Sequence, residues 1–276
     1  MANIDLDALT QTYEAALAHE KAGRPHEAKP LYEQCLTLDP IDRVGASVRL
    51  ASLGLAKAPD KAPDAYVATL FDQHADDFDD ILTGQLGYAV PMQLGQWLQE
   101  SFPEARFDRM LDLGCGTGLV GMMLMEMCDH ATGVDISENM VEAADERAAY
   151  DDLFVNEAVH FLDEYAKSTD KAHAPFDLIV AADVLPYIGA LEALFDGIAA
   201  NSAPGAMLAV SCETLPNLHT GWSITAHQRF AHSKHYLEQM CARAGFLDVE
   251  LFAEITVRTE DGAPIPGYLI VASRPA

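Results

Sequence analysis

Residues 107–118 run from an apolar strand (Phe107 to Leu113) into the turn Gly114-Cys-Gly-Thr-Gly118, in which every second residue is glycine. An amphipathic helix follows, from Leu119 to Cys128. Glycine is needed where the backbone turns tightly or must come close to a ligand. The start of the helix offers N–H groups with no partner inside the helix. A second apolar strand ends at Asp135, about 20 residues past the turn, where an acid can hold two ribose hydroxyls. This unit restricts the chain to α/β folds that bind a ligand outside the carboxyl ends of their strands.

The alternation persists along the chain. Apolar spacing predicts strands over 107–113, 131–135, 153–155, 176–182 and 206–212. Between and after them it predicts helices over 119–128, 138–149, 157–166, 189–200 and 233–244. Such a pattern gives a parallel sheet with helices on both faces. Two final strands, 247–257 and 266–273, are joined by a short polar turn. No crossover helix fits there, so they are antiparallel. Ahead of this domain, helical spacing covers 3–21, 25–37 and Arg43 to Ala56, and Lys57 to Pro63 reads as a linker. The division is a small all-α segment, 1–58, before an α/β domain, 64–276.

Half the residues are hydrophobic, enough for a full core, and the formal net charge is −26. So acidic a surface repels nucleic-acid phosphates and anionic membranes, so neither is an expected partner. No apolar run reaches membrane-spanning length, and the N-terminus does not read as a signal peptide. The five cysteines are scattered and form no C-x-x-C pair. This points to buried thiols in a reducing cytoplasm, with no structural metal.

Two cofactors suit the glycine-rich turn. Gly116, Gly118 and Gly121 match the dinucleotide pattern G-x-G-x-x-G. Asp112, at the end of the strand, argues against a pyrophosphate, because like charges at short range repel. S-adenosylmethionine (SAM) carries a sulfonium and an ammonium and no phosphate, so it suits an acid at that place. Here the chain resembles the class I SAM-dependent methyltransferases. Asp112, Gly114, Gly116 and Gly118 reproduce their first motif, an acid followed by G-x-G-x-G, and Gly133-Val-Asp135 reproduces their second. The likeness covers residues from about 66 to 273. It implies a doubly wound seven-stranded sheet with an antiparallel last strand, and SAM as the cofactor. By the same resemblance, Cys115, Ile136, Met140, Asn156, Glu157, Ala158 and Asp183 join the motif residues around the cofactor. Glu157 stands where an acid accepts the adenine amino group.

The stretch Phe71-Asp-Gln-His74-Ala-Asp-Asp-Phe78 resembles the lid of small-molecule methyltransferases, giving a lid segment over 64–102. Phe71, His74, Phe78, Tyr88, Trp222 and Arg229 are the candidate substrate-facing residues. Asp183 opens Asp183-Val-Leu-Pro-Tyr187, which departs from the D/N-P-P-Y motif of amino-group methylases by one extra residue. Tyr187 can face the substrate. The long connection Glu213 to Tyr236 is rich in candidate bases, with His227 and His232 foremost and Arg229 as a partner for an anionic substrate. Residues 15–40 resemble one tetratricopeptide unit, as in bacterial methyltransferases with such an N-terminus. A single unit cannot bury its own face. A helical cap on the α/β domain is therefore expected, with a protein partner for residues 1–58 as the alternative. Methyl transfer to a small molecule is the leading function. A protein methyltransferase, a non-catalytic SAM-binding regulator and a nicotinamide oxidoreductase are the competing readings.

Overall fold

A computed structural model describes residues 4–74, 89–168, 174–260 and 262–276. Among them the sheet is built from β1 (Met110–Leu113), β2 (Ala131–Asp135), β3 (Asp152–Val155), β4 (Phe176–Ala181) and β5 (Ser202–Glu213), all parallel, in the order β3-β2-β1-β4-β5. Every residue of β1 and β2 is buried, as expected of a parallel sheet covered on both faces. Side chains alternate across β1: Met110 enters one core and Leu111 the other. The first core, with Met110, gathers α5 (Val90–Ser101) and α6 (Leu119–Leu124). The second gathers α8 (Ala158–Lys167), α9 (Glu192–Asn201) and α10 (Lys234–Arg243). The remaining crossover helix, α7 (Glu138–Glu146), joins β2 to β3.

The chain closes the sheet as its sequence predicts. β8 (Asp248–Glu260) pairs antiparallel with β9 (Ala263–Ser273), and β9 inserts between β8 and β5, antiparallel to both. The two strands extend further toward their turn than apolar spacing indicates, because Gly262 takes a φ of 76° and closes the hairpin tightly. Pro264 and Pro266 lie on β9 beyond the end of its pairing with β5, where a missing N–H costs little.

The long connection after β5 is not an open loop. It carries a hairpin, β6 (Trp222–Ile224) and β7 (Phe230–His232), and β7 joins the sheet through Glu213 and Ala231. These two short strands raise the described sheet from the expected seven strands to nine. Several helices are shorter than their apolar spacing. α6 tightens into a 3-10 turn at Met125–Met127. α9 starts only after a 3-10 turn at Leu185–Tyr187. α3 (Ala46–Ser52) starts late, because Gly45 at φ 67° and the Asp42 carboxylate, which accepts from Ala46 N and Ser47 N, together cap it.

At the N-terminus, α1 (Leu6–Lys21) and α2 (Pro25–Leu38) pack as a hairpin on α3 around Leu9, Ala16, Tyr32 and Leu50. Arg49 of α3 ties them together, donating to Tyr13 Oη (2.9 Å) and Glu20 Oε1 (3.0 Å). The opposite face of α3 belongs to the rest of the molecule. Val48 packs in a cluster with Val67, Tyr187 and Phe230. Residues 60–62, part of the expected linker, are fixed by backbone bonds from Gly189 and Ala190 to Asp60 O (2.8 Å each) and from Ala62 to Tyr187 O (2.8 Å). α4 (Asp64–Asp72) follows directly.

Candidate functional site

The sheet order reverses direction at β1, which leaves a crevice at the carboxyl ends of β1 and β4. The glycine-rich turn forms its floor. Gly114, Gly116 and Gly118 have φ of 68°, 52° and 92°, values that L side chains adopt only with strain. At Gly114 space is a second reason: a Cβ there would lie 2.3 Å from Val184 Cγ2. Gly114 N and Cys115 N donate to Val134 O, and Gly116 N donates to Asp135 Oδ2 (2.9 Å). The other oxygen of Asp135 accepts from Ser137 N (2.9 Å). Burial raises the Asp135 pKa, while the N–H groups of Ser137, Gly116 and Ile136 pull it back. The acid thus holds the turn and still faces the cleft with its remaining lone pairs.

The cleft encloses about 960 Å³ of atom-free space, part of it open to solvent. Among the described residues, Asp64, Asp135, Glu157 and Asp183 line it, against the ammonium of Lys61. Glu157 caps α8, with Oε2 accepting from His160 N (2.8 Å). Its Oε1 faces Lys61 Nζ at 3.4 Å, and Lys61 also meets Asp64 Oδ1 at 2.7 Å. Burial alone would lower the Lys61 ammonium; Asp64 and Glu157 more than offset that and raise it. On the other side α4 walls the cleft with Val67 and Phe71. It is latched to the start of α7: Ser137 Oγ donates to Asp72 Oδ1 (2.5 Å), and Asn139 Nδ2 donates to Asp72 O (3.0 Å).

The residues that carry this crevice have relatives. Residues 111–208 match the family model of the methyltransferase domain. YqeM of Bacillus subtilis is 29% identical over 104 residues, covering 37% of this chain and 39% of YqeM. The ubiquinone biosynthesis O-methyltransferase of Coxiella burnetii is 28% identical over 99 residues, covering 36% of this chain and 41% of that enzyme. The chain therefore spans well under half the length of these curated relatives. The 1,6-didemethyltoxoflavin-N1-methyltransferase of Burkholderia thailandensis, solved with 1,6-didemethyltoxoflavin and S-adenosylhomocysteine, matches in fold. Its TM-score is 0.56 at 16% identity, over 80% of this chain and 94% of that one.

Within this methyltransferase-like fold, the motif residues Gly114, Cys115, Gly116, Asp135, Ile136, Asn156, Glu157, Ala158 and Asp183 all line the cleft, as do Phe71 and Tyr187. Asp112 does not. It is fully buried beneath the turn, where Tyr150 Oη donates to its Oδ2 (2.6 Å). Burial pushes its carboxyl up to about 7 against the pull of that hydroxyl, and Asp135 adds to the rise. The same tyrosine accounts for Gly121: a Cβ there would lie 2.5 Å from the Tyr150 ring. The third glycine of the apparent dinucleotide pattern thus makes room for a side chain. Gly118 and Met140 also stand behind the surface, Gly118 against Tyr150 and Met140 in the core under α7.

The candidate bases are not brought to the cleft. His232 is fully buried, and its Nε2 donates to Ile188 O (2.9 Å). Burial lowers its pKa to about 4, so the ring is neutral at pH 7. His227 turns to Glu260, with Nδ1 3.0 Å from Oε1. Trp222 packs edge-on against Phe230 and over Gly189. His74 is exposed beyond the end of α4, and Phe78 and Tyr88 lie outside the described residues. Arg229 sits behind the wall, stacked over the Tyr187 ring at 4.9 Å, with Nη1 3.4 Å from Asp183 Oδ2 and Nε 3.8 Å from Glu213 Oε1. Sequence reasoning missed Lys61, Ala62, Asp64 and Val67, which all line the cleft. Lys61 and Ala62 fall in a stretch that reads as a linker, and nothing local marks it for pairing with 187–190.

Proposed function

We propose that the chain is a SAM-dependent methyltransferase acting on a small-molecule acceptor. The observation that carries the reading is the cleft itself: a glycine cradle bonded to Asp135, lined among the described residues by four carboxylates and one ammonium already paired to two of them. This lining favours a cationic adenosine ligand and opposes a pyrophosphate. The family match over 111–208 supports the same reading. When bound, SAM supplies a methyl group already activated on a cationic sulfur.

The protein's part is binding and positioning. Asp135 is assigned the ribose hydroxyls and the 156–158 segment the adenine edge. The glycine turn allows close approach of the rest of the cofactor. Phe71, Val67 and Tyr187 wall the space where an acceptor enters and exclude water from it. Residues 64–276 form the methyltransferase domain in this reading. Residues 1–58 are its cap, since α3 is buried on Tyr187 and Phe230 through Val48. Calorimetry tests the proposal: S-adenosylhomocysteine is expected to bind, NAD is not, and Asp135→Ala is expected to weaken binding at least about tenfold. Binding of NAD in its place would overturn it. Radiolabelled SAM with fractionated lysate then shows whether label enters small metabolites or protein.

A further inference from the structure

The wall of the cleft at the end of β4 holds two polar atoms that the fold leaves unsatisfied. Asp183 Oδ1 and Tyr187 Oη are both buried and have no hydrogen-bond partner among the described residues. Asp183 also sits at φ 60°, a left-handed conformation that costs a non-glycine residue stability and clusters at functional sites. Its neighbour Val184 presses on Gly114, so the acid stands beside the glycine cradle. We propose that Asp183 and Tyr187 form the acceptor subsite, and that it takes a small molecule presenting an amine, neutral or protonated, or a hydroxyl, and rejects carboxylates. The inference rests on the methyl-transfer reading above and narrows its acceptor.

An ionised carboxylate only accepts hydrogen bonds, so whatever satisfies Asp183 Oδ1 must donate one. The nearby cations are not free to invite an anion. Arg229 is shared between Asp183 and Glu213 and lies over the Tyr187 ring. Arg258 donates to Glu213 and, at 2.9 Å, to Glu260. Lys61 is held by Asp64 and Glu157. An anionic acceptor would therefore meet Asp183 without compensation, which burial makes costly. An amine or hydroxyl is oriented instead: a protonated amine first passes one proton through Asp183 to solvent, and the neutral donor then points a remaining hydrogen to the acid and its lone pair to the methyl carbon. In the transfer the acceptor–carbon bond forms and the carbon–sulfur bond breaks, with the sulfur keeping the electron pair. The acceptor's proton passes to Asp183 and on to solvent.

Benzylamine and benzoate, alike in shape and opposite in charge, are the probes. Their binding to protein saturated with S-adenosylhomocysteine is read by ligand-observed NMR, and the affinity for S-adenosylhomocysteine by calorimetry. Benzylamine is expected to bind at least about tenfold more tightly than benzoate. Asp183→Asn is expected to erase that preference, since it removes the charge while asparagine tolerates the left-handed backbone. Should that variant not fold, Tyr187→Phe serves: benzylamine weakens and S-adenosylhomocysteine does not. The proposal is overturned if benzoate binds as well as benzylamine, if neither probe binds, or if the preference survives both variants. It is also overturned if Asp183→Asn loses S-adenosylhomocysteine, because the acid then serves the cofactor. If the unaltered protein does not bind S-adenosylhomocysteine, the methyl-transfer reading itself has failed, and this proposal falls with it.

Discussion

Two residues of the cradle region set opposite demands on the chain. Gly114 has no tolerance for a side chain, because its φ is 68° and Val184 occupies the space. Gly114→Ala is expected to cost about 1–3 kcal/mol of stability through strain and overlap and to weaken S-adenosylhomocysteine at least about tenfold; thermal melts and calorimetry read the two effects. Asp112 works the other way, as a carboxyl kept where water cannot reach it. Its folded pKa is about 7 against an ordinary 3.8, so the folded state holds its proton more tightly than the unfolded state. Stability from this group is therefore greatest at about pH 4. It is withdrawn as pH rises, and the loss is complete above about 7, at most on the order of 4 kcal/mol. Asp112→Asn removes that dependence. The difference in urea-unfolding free energy between variant and parent is expected to change between pH 4 and 7 and stay flat above 8. A flat difference throughout would mean that the carboxyl titrates normally. The sequence shows Asp112 as the acid of a ligand motif. What it does not show is Tyr150, which arrives from the far side of α7 and closes over the acid.

At the scale of elements, helix α4 and the 60–62 segment turn a shallow crevice into a cleft. Neither is part of the sheet, and each is held by a few polar contacts. Asp72 is the latch for α4, through Ser137 and Asn139. Asp72→Ala is expected to leave the global melting temperature within a few degrees, to raise amide exchange across 64–72, and to weaken S-adenosylhomocysteine several-fold. Unchanged exchange in that helix would show that Val67 and Phe71 hold it by packing alone. The place of this element ahead of the sheet was legible as the expected lid segment, 64–102. Its latch was not, because Asp72 and Ser137 are 65 residues apart. The same holds for the hairpin β6–β7. Its strands are three residues each, too short to show a period of two, and they exist because β5 offers a free position at Glu213.

For the molecule as a whole, the N-terminal helices and the α/β domain are joined by an apolar contact. Val48 has no exposed surface and reaches Val67, Tyr187 and Phe230. Val48→Asp buries an unpaired charge there and is expected to cost about 3 kcal/mol or more. It is also expected to weaken S-adenosylhomocysteine, because Tyr187 and Val67 line the cleft. Denaturant melts and calorimetry on the same preparation check both. A loss of stability with unchanged affinity would make the cap a stabilising element with no influence on the site. What the chain's own letters determined is local: the alternation of strands and helices, the reversed final hairpin, the glycine turn and Asp135 at its strand tip. Each of these follows from periodicity or from φ at a single residue, which neighbours in sequence are enough to specify. Only the folded molecule decided that Asp112 is sealed away, that His232 is spent on a backbone carbonyl, that Lys61 belongs to the cleft, and that Asp183 and Tyr187 end in unsatisfied atoms. Burial and hydrogen-bond partners depend on segments tens of residues apart meeting in space, and no local pattern encodes which of them will meet.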